Sequence, residues 1–158
     1  MAMVKSQHTS VIYITLLIAI LLLLVPLPDN LRYARPEWVV MTLIYWAMAL
    51  PQRVSIGVAW FTGLVVDVVT GGVLGIHAFA YSLVIYLVGR LHLQLRQYPL
   101  WQQAITILSL VFLVHFTVMF NAPISFSWTN WMTILTSTLV WPLVYAVLRK
   151  IRRSFQVS

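Results

Sequence analysis

The sequence has no cysteine, and only three of its 158 residues are acidic. The lack of cysteine excludes disulfide bonds, thiolate metal sites and a cysteine nucleophile. Charged residues of both signs make up 8% of the chain, whereas a typical soluble domain is about 25% charged. A chain with so few charges cannot present a polar surface to water on all sides, which excludes an ordinary soluble domain.

Long apolar runs take the place of charge, since hydrophobic residues make up 61% of the chain and the mean hydropathy is +0.92. A helix needs about 20 residues to cross the hydrocarbon core of a bilayer, so the chain has room for six spans and little else. We predict an all-α polytopic membrane protein, with one integral membrane domain over residues 1–158. Six transmembrane helices are expected at residues 11–27, 37–50, 54–70, 73–89, 100–120 and 130–148, followed by a basic cytoplasmic tail at 149–158.

Prolines and glycines separate these runs. Pro26 and Pro28 end the first run without a small-residue cleavage site, so we interpret it as a retained helix and not as a secretory signal. Pro51 divides the second run from the third, because one helix over both would be about 48 Å long. Gly71 and Gly72 form the turn before the fourth run, and residues 90–99 are expected to form a basic loop.

The basic residues are unequally distributed over the connections. With a cytoplasmic amino terminus and six spans, two of the ten, Arg32 and Arg35, lie outside and eight lie on the cytoplasmic side. The eight are Lys5, Arg53, Arg90, Arg96, Arg149, Lys150, Arg152 and Arg153. By the positive-inside rule, both termini are therefore predicted to be cytoplasmic. The rule also explains the net charge of +7 without nucleic acid. Leu148, Ile151 and Phe155 recur at helical spacing in the tail, so we expect it to form a helix on an anionic leaflet, with anionic lipids as partners.

The sequence shows no motif of a common enzyme class, such as a nucleophile elbow, a zinc-protease helix or a phosphate-binding loop. Of the four histidines, His8 and His92 are expected in solvated loops, and His115 is expected to face the bundle with a hydrogen-bonding partner. A membrane hydrolase would have to use Ser109 with His115, which are six residues apart and therefore on different helical faces. We predict no enzymatic activity, no cofactor and no metal site.

Asp67 is the only acidic residue inside an apolar run. An ionised carboxylate in hydrocarbon costs about 2.5–3.5 kcal/mol, so such a residue faces the protein interior and is a functional candidate. The alternative is a structural role, in which Asp67 accepts hydrogen bonds at the following turn or meets Arg32 or Arg35. His77, just past that turn, is a further candidate.

Small residues surround this aspartate. Gly63, Asp67 and Gly71 are spaced by four and therefore lie along one side of a helix. Gly72 and Gly75 follow in the turn. Because glycine lets a neighbouring backbone approach closely, we expect Gly63, Gly71 and Gly75 to allow tight packing of the third and fourth helices, or of a partner's helix.

A second candidate group is Arg35, Pro36, Glu37 and Trp38, where the second helix begins. Glu37 in a first turn suits the helix dipole, and Trp38 suits the aromatic belt at a membrane interface. Anchoring of this helix end is therefore the simpler interpretation, and a partner-binding role is the alternative.

Taken together, these residues resemble the MreD family of rod shape-determining membrane proteins, especially its proteobacterial branch. The likeness extends over nearly the whole chain. Its motifs are Arg35-Pro36-Glu37-Trp38, Leu43-Ile44-Tyr45-Trp46, Ala49-Leu50-Pro51, Arg53-Val54, Gly63-Leu64-Val65-Val66-Asp67, Gly71-Gly72-Val73-Leu74-Gly75, Trp101-Gln102-Gln103-Ala104, Trp141-Pro142 and Arg149-Lys150.

The resemblance implies a non-enzymatic component of the cell-elongation machinery in the bacterial inner membrane. It implies MreC as the direct partner, together with MreB, RodA and a class B penicillin-binding transpeptidase. It also implies a fold similar to the substrate-binding subunits of energy-coupling-factor transporters. A small-molecule-binding subunit of a transporter is the alternative function, although such a site needs convergent polar groups and the apolar runs offer few.

Overall fold

A computed structural model describes residues 8–121 and 127–157. Within these ranges every regular element is a helix, which confirms the all-α prediction for this part of the chain. Lys5 and the centre of the connection before the last helix lie outside the described residues. The helices are α1 (Thr9–Leu24), α2 (Asp29–Arg32), α3 (Trp38–Ala49), α4 (Ile56–Thr70), α5 (Ile76–Gln97), α6 (Leu100–Asn121) and α7 (Thr129–Ser154).

The core is built around α3. Every residue from 39 to 49 is buried, because α1, α5 and α7 all pack against this helix. A helix that is apolar on all sides belongs in an interior, and α3 carries only one buried polar residue, Thr42. One hydrogen bond ties α3 to α1, since Trp46 Nε1 donates to Thr15 Oγ1 over 2.9 Å.

The remaining helices enclose this centre and expose apolar side chains outward. α4 packs on α5, and α6 packs between α5 and α7. In the part of the chain that the structure describes, three helices, α5, α6 and α7, are long and apolar enough to cross a membrane, while α1, α3 and α4 are shorter apolar helices. Leu17, Phe116 and Leu139 are among the many large apolar residues more than half exposed. A surface of this kind fits a helical membrane protein.

The predicted basic loop over residues 90–99 is wrong, because α5 continues to Gln97. Arg90, His92 and Arg96 are therefore helical residues. Arginine and glutamine are good helix formers, and the first helix breaker after Gly89 is Pro99, which stops the helix just before it. The start of this helix also differs from the predicted residue 73, because Gly75 adopts φ 99° and α5 begins at Ile76.

The predicted end of the last helix at residue 148 also differs from the structure, because α7 continues through the basic residues to Ser154. Leu148 and Val157 are buried against the bundle, so this part of the chain packs on the protein. The helix continues because no glycine or proline interrupts it after Pro142.

Candidate functional site

Charged residues collect at the two opposite ends of the bundle. At one end the last turns of α1, α4 and α6 meet the first turns of α3, α5 and α7, and we call it the acid–histidine end. It contains Arg35, Glu37, Asp67, His77 and His115, together with Asp29 and Arg32 of α2. The other end, where α5 and α7 finish, is the basic end and contains Arg96, Arg149, Lys150, Arg152 and Arg153.

At the acid–histidine end, α4 stops in a turn that requires glycine. Gly71 has φ 67°, a left-handed conformation that a side chain disfavours. The Gly72 N–H donates to the Asp67 carbonyl over 3.1 Å, and the Gly71 N–H donates to the Val68 carbonyl over 3.3 Å. This pair of bonds is a Schellman motif, which satisfies carbonyls that a helix end leaves unpaired.

The Asp67 carboxylate then caps the next helix. Oδ2 accepts the Gly75 N–H over 2.8 Å and the Ala78 N–H over 3.4 Å, while Oδ1 accepts the His77 N–H over 3.1 Å. These are donors of the first turn of α5, which have no partner inside their own helix. A negative charge at a helix amino terminus is also favoured by the helix dipole. Asp67, only 1% exposed, therefore holds the start of α5 against the end of α4.

His77 completes this arrangement. Its Nδ1 lies 2.7 Å from Asp67 Oδ1, and its ring packs edge-on against Tyr81 with the centroids 5.8 Å apart. The histidine side chain is 21% exposed, whereas the aspartate side chain is enclosed. The sequence singled out both residues, but their direct contact could be known only from the structure.

Gly63 lies at a close contact between α4 and α5, whereas Gly71 and Gly75 make no such contact within the chain. A Cβ at residue 63 would lie 2.4 Å from the Ala78 Cα, so α4 and α5 touch backbone to backbone there. A Cβ at Gly71 or Gly75 would meet nothing within 4 Å. Those two glycines are needed for their positive φ angles of 67° and 99°.

The segment from Arg35 to Trp38 caps other helix ends. The Arg35 guanidinium donates to the carbonyls of Leu23 and Val25 at the end of α1, where a positive charge suits the dipole. Arg35 does not pair with Asp67, because its guanidinium is bound at the end of α1. Pro36 precedes the start of α3, and Trp38 packs on the core.

Glu37 joins three helices. It forms the amino-terminal cap of α3, and its N–H donates to Ser137 Oγ of α7 over 2.9 Å. Its carboxylate Oε1 lies 3.6 Å from His115 Nε2 of α6. The other ring nitrogen of His115 lies 3.1 Å from the Val111 carbonyl of the same helix, so this histidine faces the bundle with partners, as the sequence predicts.

The basic end is fixed by a residue that sequence reasoning missed, Gln103. Its Nε2 donates to the carbonyls of Leu95 and Tyr98 over 2.9 and 3.3 Å, and its Oε1 accepts Trp141 Nε1 over 3.4 Å. Gln103 therefore joins the α5–α6 turn to α7. Its signal in the sequence is an amide inside an apolar run, a group that must find partners when buried.

Arg53 lies in the α3–α4 connection, and Arg90 is exposed on α5.

The side chains at the acid–histidine end are engaged in hydrogen bonds and close pairs. Asp67 and Glu37 each lie near one histidine, and residues 8–121 and 127–157 contain no group of three His, Cys, Asp or Glu side chains able to hold a metal ion. Ser109 Oγ donates to the Ile105 carbonyl of its own helix over 3.2 Å. The geometry is therefore that of helix capping.

Comparison with known proteins gives one consistent result. The family model described as rod shape-determining protein MreD matches residues 4–151. The protein named rod shape-determining protein MreD of Haemophilus influenzae is 36% identical over 146 residues, which cover 89% of each chain. No solved structure matches the chain.

Proposed function

Because this chain belongs to the MreD family of rod shape-determining proteins, we propose that it is a non-enzymatic scaffold of the bacterial inner membrane. In this role it binds MreC and helps to couple MreB filaments to peptidoglycan synthesis by RodA and a class B penicillin-binding transpeptidase. The observation that carries the proposal is the family match over residues 4–151.

The use of the buried charges supports a scaffold and not an enzyme. The side chains of Asp67 and Arg35 bind backbone groups at helix ends, and Glu37 occupies the cap position of α3. Groups held in this way position helices. A catalytic acid or base would instead need a reacting group within reach.

Six spans with both termini in the cytoplasm remain the topology that we propose. The three short helices are the difficulty, since 12 residues of α3 reach only about 18 Å. A helix enclosed by other helices contacts protein and not hydrocarbon, so its ends need not reach the head groups. The burial of α3 supports its placement as such an inner span, within a fold like that of energy-coupling-factor substrate-binding subunits.

An aromatic face on α6 supports binding of a partner helix. Phe112, Phe116 and Phe120 stack along this helix with ring centroids 6.2 and 6.3 Å apart, and all three are exposed. Between helices in lipid, association depends on such packing contacts because lipid supplies no hydrophobic drive. The single span of MreC is the partner that we propose for this face.

The transporter alternative is less well supported. The cavity between α1, α3 and α7 has a volume of about 190 Å³, and Thr15 and Thr42 supply the hydroxyls in its lining. Both hydroxyls donate to carbonyls of their own helices. A substrate site needs several polar groups that converge on the ligand, and this cavity is almost wholly apolar.

Co-purification with MreC tests the scaffold proposal. The full-length tagged chain is extracted in mild detergent from cells that also produce MreC, and we expect MreC to be recovered with it. Phe116→Ala is compared with Leu17→Ala on α1, since the two residues are 55% and 57% exposed. Only Phe116→Ala should reduce recovery. Restored rod shape without any recovery of MreC would contradict the proposal.

A further inference from the structure

Two adjoining cavities open at the basic end, with volumes of about 620 and 890 Å³. Arg96, Tyr145, Arg149 and Arg153 line both of them, so the two form one continuous cleft between the ends of α5 and α7. We call it the basic cleft. Arg152 adds to the first cavity and Lys150 to the second. Each of the two volumes is in the range of small-ligand sites, about 300–1,000 Å³.

The positive charge of the cleft has no acidic side chain against it. The chain has three acidic residues, Asp29 in α2, Glu37 at the start of α3 and Asp67 near the end of α4, and none of them lines either cavity. Membrane orientation needs basic residues only on the correct side. It does not require α5 and α7 to direct five of them at one cleft.

The walls of the cleft are held in place. Gln103, itself 3% exposed, lines the second cavity and fixes the α5–α6 turn against α7 through its contacts with Leu95, Tyr98 and Trp141. Tyr45 of the central helix and Val157 of the folded-back carboxyl-terminal segment are both buried and line the first cavity. The arginines therefore extend from a fixed surface.

We propose that the basic cleft binds the phosphate or diphosphate group of an anionic membrane lipid. Four of its five basic residues are arginines, whose planar guanidinium binds phosphate oxygens in pairs. The cleft also reaches lipid-facing surface, because Leu100 lines it and is 44% exposed, and the neighbouring Trp101 is 67% exposed. A charged head group in the cleft can thus leave its hydrocarbon tail in the bilayer. This site is independent of the scaffold function and of its partners.

The test uses the purified full-length chain, delipidated in an uncharged detergent and analysed by native mass spectrometry. The ligands are phosphatidic acid, diacylglycerol with the same acyl chains, inorganic pyrophosphate and a glutamate-rich peptide. The variants are Arg96→Gln, Arg90→Gln and Arg96→Lys. Arg96 and Arg90 are both exposed residues of α5, but only Arg96 lines the cleft.

We expect phosphatidic acid to bind and diacylglycerol not to bind. Arg96→Gln should weaken the binding of phosphatidic acid by about tenfold, as one charge-assisted pair is lost, whereas Arg90→Gln should leave it nearly unchanged. Arg96→Lys keeps the charge without the planar guanidinium, so its affinity for phosphatidic acid should lie between those of Arg96→Gln and Arg90→Gln. If Arg96→Gln does not fold, Arg96→Lys is used in its place.

Three results would overturn the proposal. Equal weakening by Arg90→Gln and Arg96→Gln would mean diffuse attraction to the basic end. If pyrophosphate binds as tightly as phosphatidic acid, the cleft is a site for soluble phosphate compounds, and a lipid is excluded as its specific ligand. A glutamate-rich peptide that displaces phosphatidic acid at lower concentration would assign the cleft to an acidic protein segment.

Discussion

The two ends of the bundle use charge in opposite ways. At the acid–histidine end, Arg35, Glu37 and Asp67 are engaged with helix termini or with histidines of the same chain. At the basic end, Arg96 and Arg149 line an open cleft in which the chain supplies no acidic side chain.

The difference separates charges that build the fold from charges that remain available to other molecules. A buried carboxylate that lost its donors would be strongly destabilising, so changes at the acid–histidine end should affect folding. Solvated basic residues contribute little to folding. Changes at the basic end should affect orientation and binding instead. Four predictions test this contrast, in decreasing order of their effect on folding stability.

The largest effect is expected from Gly63→Ala. The new Cβ would lie 2.4 Å from the Ala78 Cα, and backbone atoms cannot move aside as a side-chain tip can. We expect the free energy of unfolding to fall by about 3 kcal/mol, at the upper end for overpacking. The effect is measured by thermal unfolding in detergent and by the abundance of the protein in membranes. Gly57→Ala is the control, since its nearest contact would be Ser55 Oγ at 3.6 Å; equal unfolding temperatures would refute the close approach.

Asp67→Ala should come next, because it leaves the N–H groups of Gly75, His77 and Ala78 without their acceptor. The expected loss is about 1–3 kcal/mol. The stability of Asp67→Asn should lie between those of the wild type and Asp67→Ala. Both carboxylate oxygens accept hydrogen bonds, whereas an amide has only one oxygen. The readout is again the unfolding temperature, with Asp29→Asn on the exposed α2 as control. If asparagine is as damaging as alanine while both proteins accumulate normally, the charge itself is required.

A smaller effect is expected at Glu37 and His115, whose Oε1 and Nε2 atoms are 3.6 Å apart and whose side chains are each about one-fifth exposed. The interaction between two partly solvated groups is expected to contribute below about 1 kcal/mol. Comparison of Glu37→Gln, His115→Gln and the double variant isolates the pairwise energy. A coupling as large as the Asp67→Ala loss would show that this pair also determines the fold.

The smallest effect on folding is expected at the basic end, from replacing Arg149, Lys150, Arg152 and Arg153 together by glutamine. Each basic residue near an anionic leaflet contributes about 1 kcal/mol to its attraction, so the change should impair orientation. In the wild-type chain, reporters after Leu50 or Gln97 should be cytoplasmic and a reporter after Asn30 periplasmic. A variant that keeps this topology but unfolds at much lower temperature would contradict the contrast between the two ends.

The apolar runs and the residues that interrupt them were enough to predict an all-helical chain with helices near their observed positions. One error came from treating charge as a sign of a loop. Residues 90–97 are helical, because arginine favours a helix and its long side chain can reach water from an exposed helix surface. The helix ends at Pro99 and Gly71 were recognisable because proline and glycine act through local sterics.

At the candidate site, the sequence by itself determined which residues are exceptional. An acid in an apolar run, glycines at a spacing of four and ten basic residues against three acids are visible without a structure, since each reflects the cost of placing that residue type in lipid. Only the tertiary structure decided that Asp67 meets the first turn of α5 and that Gln103 meets Leu95, Tyr98 and Trp141. It also placed Arg96 and Arg149 in the lining of one cleft. Those contacts depend on which helix faces pack together, and packing follows from the shapes of all the helices at once.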